Sequence, residues 1–301
     1  MPVSNSRIRN FTCTAARVLV LCLLSVLPAL SAAQEGAAAD DTGLSTSEES
    51  SGFFFFTDTS LSLLPYGVGY EVDPSEQSTF TFEHADASKI GDLFMFVDFS
   101  KFHDTEDNDS TWYGEFSPRL SFGKIFKKDL SHTFFKRSLF EIKDVLLAAQ
   151  YERGEDPDLA EAVLVGLGLD LDVRGAGLLG RLGKFNYVQL NFYGRINLTE
   201  GAESGFSDMQ ISMVASYPFN IGDNQFLIDG YFDWVLGLGS ETWSYHINPQ
   251  LTMDLGAKWD KPGRFYVGVE LDFWWNKYQI PNTPEFDTNQ AAVSLLLKYH
   301  L

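Results

Sequence analysis

Trp112-Tyr113-Gly114-Glu115-Phe116-Ser117-Pro118-Arg119-Leu120-Ser121-Phe122 separates into two chemical sets when every second residue is taken. One set holds Trp112, Phe116, Leu120 and Phe122. The other holds Tyr113, Glu115, Ser117, Arg119 and Ser121. Successive side chains of a strand point to opposite faces, so this stretch reads as a strand with one greasy and one wettable face. A one-residue slip would turn Glu115 and Arg119 onto the greasy face. If that face meets lipid, each charge would cost a few kcal/mol near the midplane, so the facing is strongly specified.

The same rhythm recurs to the end of the chain. Val163, Val165, Leu167, Leu169 and Leu171 alternate with Gly166, Gly168, Asp170 and Asp172. Val188, Leu190 and Phe192 alternate with Gln189, Asn191, Tyr193 and Arg195, and Ile247, Leu251 and Met253 with His246, Asn248, Gln250 and Thr252. Phe265 through Trp275 alternates with Tyr266, Gly268, Glu270, Asp272 and Trp274, and the last run puts Val293, Leu295, Leu297, Tyr299 and Leu301 on one face. About twelve such segments are predicted, starting near Leu61, Gln77, Asp92, Thr111, Glu141, Ala162, Phe185, Phe206, Gln225, Tyr245, Arg264 and Asn289. Several approach the roughly 9–11 residues that a tilted transmembrane strand needs, and an even number suits a single-chain barrel. The expected fold is therefore all-β, a transmembrane antiparallel β-barrel. A soluble β-sandwich also alternates, but it rarely sustains strands this long with so many aromatics.

Composition agrees. Mean hydropathy is −0.10, and aromatics make up 15% of 301 residues, including 26 Phe. Barrels gather such rings in girdles at the two membrane interfaces. The connections alternate in character: His103–Ser110, Glu152–Asp158 and Leu198–Ser204 are polar or acidic. Lys124–Arg137 and Arg174–Lys184 are basic, while Asn220–Asn224 and Asp260–Gly263 are short turns. With both termini periplasmic, the acidic connections face outside.

The N-terminus predicts export. Arg7, Arg9 and Arg17 precede an apolar run from Val18 to Leu30, which is too short to span a bilayer, and Ser31-Ala32-Ala33 suits signal cleavage. Residues 1–33 are read as a signal peptide, 34–57 as a flexible acidic leader and 58–301 as the barrel. Phe53-Phe54-Phe55-Phe56 is either an interfacial anchor or the edge of the first strand. Both cysteines, Cys13 and Cys22, lie inside the signal, so the mature chain is expected to lack disulfides and thiolate sites. A net charge of −19, more negative once the signal arginines are gone, argues against a nucleic-acid partner.

No catalytic motif stands out. His84, His103, His132, His246 and His300 lie far apart with no metal-ligand spacing, so neither a catalytic site, a metal nor a cofactor is expected. The informative residues are those predicted to line the lumen. Asp92, Phe94, Phe96 and Asp98 share one face, and the two aspartates should avoid lipid, which turns two phenylalanines inward. Flat rings can stack on a heterocycle, while Asp98, Tyr113, Glu115 and Arg119 can hydrogen-bond hydroxyls and ring nitrogens. The plainer alternative is that Glu115, Arg119, Asp170 and Asp172 form an ion-pair network holding a narrow barrel rigid.

Four segments carry a family resemblance: Gly91–Asp98, Tyr113–Phe122 with its Glu-Phe-Ser-Pro-Arg run, Gly166–Asp172, and Ser294–His300. In these the chain resembles the Tsx-type nucleoside-specific channel proteins, which include the OmpK-like vibriophage receptors. The resemblance implies a twelve-stranded outer-membrane barrel passing nucleosides through a narrow lumen lined by aromatic and ionisable residues. Phe94, Phe96, Asp98, Glu115 and Arg119 fall in that lining by position. It departs from the usual barrel pattern in ending at Leu301 rather than an aromatic. The expected partners are outer-membrane lipid and lipopolysaccharide, the barrel assembly machinery and nucleoside-like solutes. The competing reading is a surface or structural barrel whose acidic loops bind a phage or host surface, and an outer-membrane hydrolase is a third.

Overall fold

The computed structural model describes residues 52–103, 105, 109–131, 140–155, 161–173, 184–198, 205–238 and 242–301. The signal and leader readings up to Ser51 lie outside them. The chain forms twelve strands: β1 Phe54–Val68, β2 Glu76–Ser88, β3 Gly91–Phe102, β4 Ser110–Ser121, β5 Phe140–Gly154, β6 Glu161–Val173, β7 Tyr187–Asn197, β8 Gly205–Ile221, β9 Asn224–Val235, β10 Ser244–Asp254, β11 Phe265–Trp275 and β12 Gln290–His300. Each pairs antiparallel with its sequence neighbours, and β12 pairs with β1 to close the barrel. Among the described residues no helix is long and apolar enough to cross a membrane.

The alternation read from sequence sets which face is which. In β12, Gln290, Ala292, Ser294, Leu296 and Lys298 point inward and are buried, whereas Val293, Leu295, Leu297 and Tyr299 point outward and are exposed. This inverts a soluble protein: polar groups are shielded and apolar ones bared, as a hydrocarbon surround requires. Phe265 and Trp275 bound the outward face of β11. At about 3.4 Å per residue and a tilt of about 45°, that length spans roughly the 25 Å of a lipid-facing band. Rings collect at both edges. Tyr217, Phe219 and Phe226 stack in a row near the terminus end. At the opposite end Phe232, Trp234, Trp243, Tyr245, Ile247 and Trp275 line a shallow outer cavity of about 580 Å³.

Three boundaries differ from expectation. The first strand begins at Phe54, not near Leu61, so Phe54–Phe56 belong to the wall rather than to the leader assigned to 34–57. Beyond Ser60, which pairs with His300, β12 has ended, and this early part of β1 pairs only with β2. Second, Glu152, expected in a loop, lies in β5 opposite Glu115. Third, a short helix, Phe122–Phe126, opens the basic connection after β4, capped by the Ser121 side chain accepting from the Lys124 amide.

The facing gives a direct test. Leu295→Arg, on the lipid side, is expected to cost about 2–4 kcal/mol, read as a lower urea midpoint by tryptophan fluorescence in vesicles. Asn248→Arg, on the inner face of β10 beside Asp272, should cost far less.

Candidate lumen site

The inner face carries two aromatic walls joined by hydrogen-bonded charge networks. On the first wall, Phe94 and Phe96 of β3 lie with ring centroids 6.0 Å apart, and Phe96 is 5.9 Å from Tyr113 of β4. The alternation of β3 puts these rings inside because Asp92 and Asp98 share their face; Phe96 pairs with Glu115 and Asp98 with Tyr113. The Tyr113 hydroxyl donates to Glu115 Oε1 at 2.8 Å, and Thr81 donates to Asp98 at 2.5 Å.

From Glu115 a polar belt runs strand to strand. Gln150 Nε2 donates to Glu115 at 3.0 Å and to Glu152 at 2.9 Å. Arg195 of β7 closes on Glu152 with two bonds of 3.0 and 2.7 Å and donates to Gln210 of β8. Gln210 passes the chain to Ser212 at 2.9 Å. The belt thus links β4, β5, β7 and β8 through side chains alone, and the charge pair within it is hydrogen-bonded on both sides, as a buried pair must be to persist.

Nearer the chain termini stands a second network. Arg119 grips Asp92 with Nε and Nη2 at 2.7 and 2.8 Å, and Nη2 also reaches Asp170 at 2.9 Å. Its side chain is 4% exposed. Arg119 is therefore committed to bracing the wall from β3 to β6, and it meets the predicted network partner Asp170. Asp172 instead faces Lys143 at 3.3 Å. Beside this network Tyr193, Ala148, Ala162 and Leu164 pack into an apolar cluster. Gly166 lies between Ala148 and Tyr193 in the register, and Gly168 leaves room for Asn191, whose Oδ1 would sit 2.7 Å from a Cβ there.

The predicted lining residues thus separate along the lumen. Phe94, Phe96, Asp98, Tyr113 and Glu115 form one group; Arg119 and Asp170 form another near the terminus end, with Asp172 beyond them. The second aromatic wall, on β9 to β11, was not singled out from the sequence. His246 stacks on Trp274 with centroids 3.7 Å apart, meets Tyr231 edge-on at 5.0 Å and contacts Asp272 at 2.9 Å. The signal was present: Trp274 falls in the polar register of its strand, the same reasoning that turned Phe94 and Phe96 inward. The second wall carries carboxylates of its own, Asp233 on β9 paired with His246, and Glu270 and Asp272 on β11. Among the described strand residues, Arg119, Arg195 and Lys298 are the lysine and arginine side chains placed squarely on this inner face, and Lys298 is held by Glu83 at 2.8 Å. The lumen is acidic. No group of three or more His, Cys, Asp or Glu among the described residues is arranged to hold a metal.

Residues 65–301 match the nucleoside-specific channel-forming protein Tsx family, which covers the last four residues of β1 and every strand after it. The chain belongs to that family. It is an outer-membrane β-barrel of channel type. No curated protein matches it. Among solved structures it is similar to the KdgM porin, at 9% identity and a TM-score of 0.41, over 81% of this chain and 98% of that one. A structure of the KdgM porin in complex with disordered oligogalacturonate gives 10% identity and a TM-score of 0.39 over the same shares. OccAB3 of Acinetobacter baumannii gives 9% and 0.32, again over 81% and 98%.

The belt makes a stability prediction. Arg195→Met leaves Glu152 buried without its cation and should destabilise the barrel by about 3–5 kcal/mol. Arg195→Met with Glu152→Met should recover most of that loss, both read as urea midpoints in the same detergent.

Proposed function

We propose that the barrel passes nucleosides across the outer membrane by passive diffusion, without catalysis or an energy source. The observation that carries this reading is the row Phe94–Phe96–Tyr113, with rings about 6 Å apart beside Asp98 and Glu115. A planar base can step along successive ring faces while its sugar hydroxyls exchange hydrogen bonds with neighbouring carboxylates. Base–aromatic stacking is worth about 1–3 kcal/mol per base, enough to favour entry and weak enough to allow exit, the compromise that conduction requires. Membership of a nucleoside-specific family supports the same solute class. The acidic lumen adds a charge filter: a neutral nucleoside enters freely, while its phosphorylated form meets like charge.

Export by a signal cleaved after Ala33, delivery by the barrel assembly machinery and contact with lipopolysaccharide belong to the same proposal. The competing reading keeps the same barrel and gives its acidic loops a phage or host surface to bind, without substrate-selective transport.

Proteoliposomes holding the protein should swell faster in a nucleoside than in a sugar of similar size. Phe94→Ala with Phe96→Ala should bring the two rates together; equal rates in the unmodified protein would leave a general channel. A nucleoside monophosphate should enter several-fold more slowly than its nucleoside at low ionic strength, the gap narrowing as salt screens the carboxylates. Equal entry at low salt would remove the charge filter.

A further inference from the structure

The connection from β11 to β12, residues 276–289, does more than join two neighbouring strands, for which a two-residue turn would serve. Its two ends are buried while residues 281–286 between them are exposed: Lys277 keeps 2% of its surface and Thr288 none. Gln279 Nε2 donates at 3.0 Å to Asp208 Oδ2 and at 3.0 Å to the Thr242 carbonyl. Asp208 projects from the inner face of β8, opposite Arg195, and β8 lies three strands from β11. To reach it, the loop must fold inward past the ends of β10 and β9.

The other flank is tied as well. Lys277 Nζ meets Asp73 in the β1–β2 connection at 2.6 Å and Gln290 at 2.6 Å, and the Tyr278 hydroxyl donates to the same Asp73 oxygen at 2.8 Å. The loop is thus fastened on both sides of the barrel mouth opposite the termini. Its backbone is strained to do this. Asn276, Tyr278 and Gln279 have φ of 49°, 56° and 60°, the left-handed region that L side chains disfavour. Such residues persist where their surroundings over-determine them. Here Asn276 Nδ2 donates to the Trp243 carbonyl at 3.0 Å, the Asn282 amide to Asn276 Oδ1 at 3.2 Å, and the Thr288 amide to Asn282 Oδ1 at 2.9 Å.

We propose that this loop is a fixed strap across the mouth that sets the size limit of the channel, with Gln279 and Lys277 as its positioning residues. Strain in the backbone opposes the side-chain ties, so cutting the ties lets the strap lift away. The proposal rests on the barrel being a channel and not on the identity of its solute, since the strap acts before the rings of β3 and β4 are reached.

Gln279→Ala with Lys277→Met removes the ties to Asp208 and Gln290 and the 2.6 Å tie to Asp73, leaves Tyr278 as the remaining hold on Asp73, and leaves Phe94 and Phe96 untouched. Single-channel conductance in molar KCl should rise on the order of twofold as the mouth widens. Vesicles should also swell in a trisaccharide that the unmodified channel excludes. A variant that still shows a heat-modifiable folded band, yet keeps the original conductance and size limit, would overturn the proposal. Should the double variant fail to fold, Gln279→Ala alone, read the same way, decides. A widened variant whose parent shows no preference for nucleosides would sink the solute reading and keep the strap.

Discussion

In hydrocarbon a backbone amide or carbonyl has no water to fall back on, so every strand needs a partner on both sides. The seam between β1 and β12 is where this chain meets that demand. Ser60 to Leu63 pair with Leu297 to His300, a register shift follows, and Gly67 and Val68 pair with Ser294 and Val293. Gly67 is required at the shift, because a Cβ there would lie 2.1 Å from Ser294 Oγ and 2.9 Å from the Tyr70 hydroxyl. Side chains then stitch the seam from inside. Tyr70 bonds Ser294 at 2.7 Å, His300 meets Asp58 at 2.8 Å, and Lys298 reaches over β1 to Glu83 at 2.8 Å. Once the seam closes, one face of the sheet is committed to lipid and the other to the lumen.

That commitment explains the interior. A small closed barrel must shield polar side chains that cannot face lipid, and each shielded charge needs partners. Arg119 forks onto Asp92, its register partner on β3, and reaches on to Asp170 of β6, while Arg195 forks onto Glu152 of β5, two strands away. The carboxylates left over, Asp98, Glu115, Asp233 and Glu270, face the open space with neutral donors for company. On the proposed function, structure and selectivity share one set of residues: paired charges brace the wall, and the surplus of negative charge is left to meet the solute. Aromatic rings inserted among them supply the apolar contact that carboxylates lack.

How much of this was legible in the sequence varies with the kind of information needed. Period-two alternation gives the face of each residue, so strands from β2 onward were placed within a residue or two: Gln77 against Glu76, Thr111 against Ser110, Asn289 against Gln290. The start of β1 was missed because Phe53-Phe54-Phe55-Phe56 does not alternate and is paired on one side only. Alternation does not give the height of a residue along the lumen. Phe94, Asp98, Arg119 and Asp172 were therefore grouped as one lining although they fall at different levels. Contacts such as Arg195 with Glu152 depend on strand register across the sheet, which no local pattern encodes. The strap was illegible for a further reason: its three left-handed residues are Asn, Tyr and Gln, with no glycine to mark the turn.

The central claim is a closed sheet whose outer surface is wetted by hydrocarbon, and its detergent dependence tests it most directly. The mature chain should refold from urea only when micelles or bilayers are supplied, giving a band on SDS gels that migrates faster unboiled than boiled. A chain that instead folds as a monomer in plain buffer, and runs at one position whether boiled or not, would contradict the account at its root.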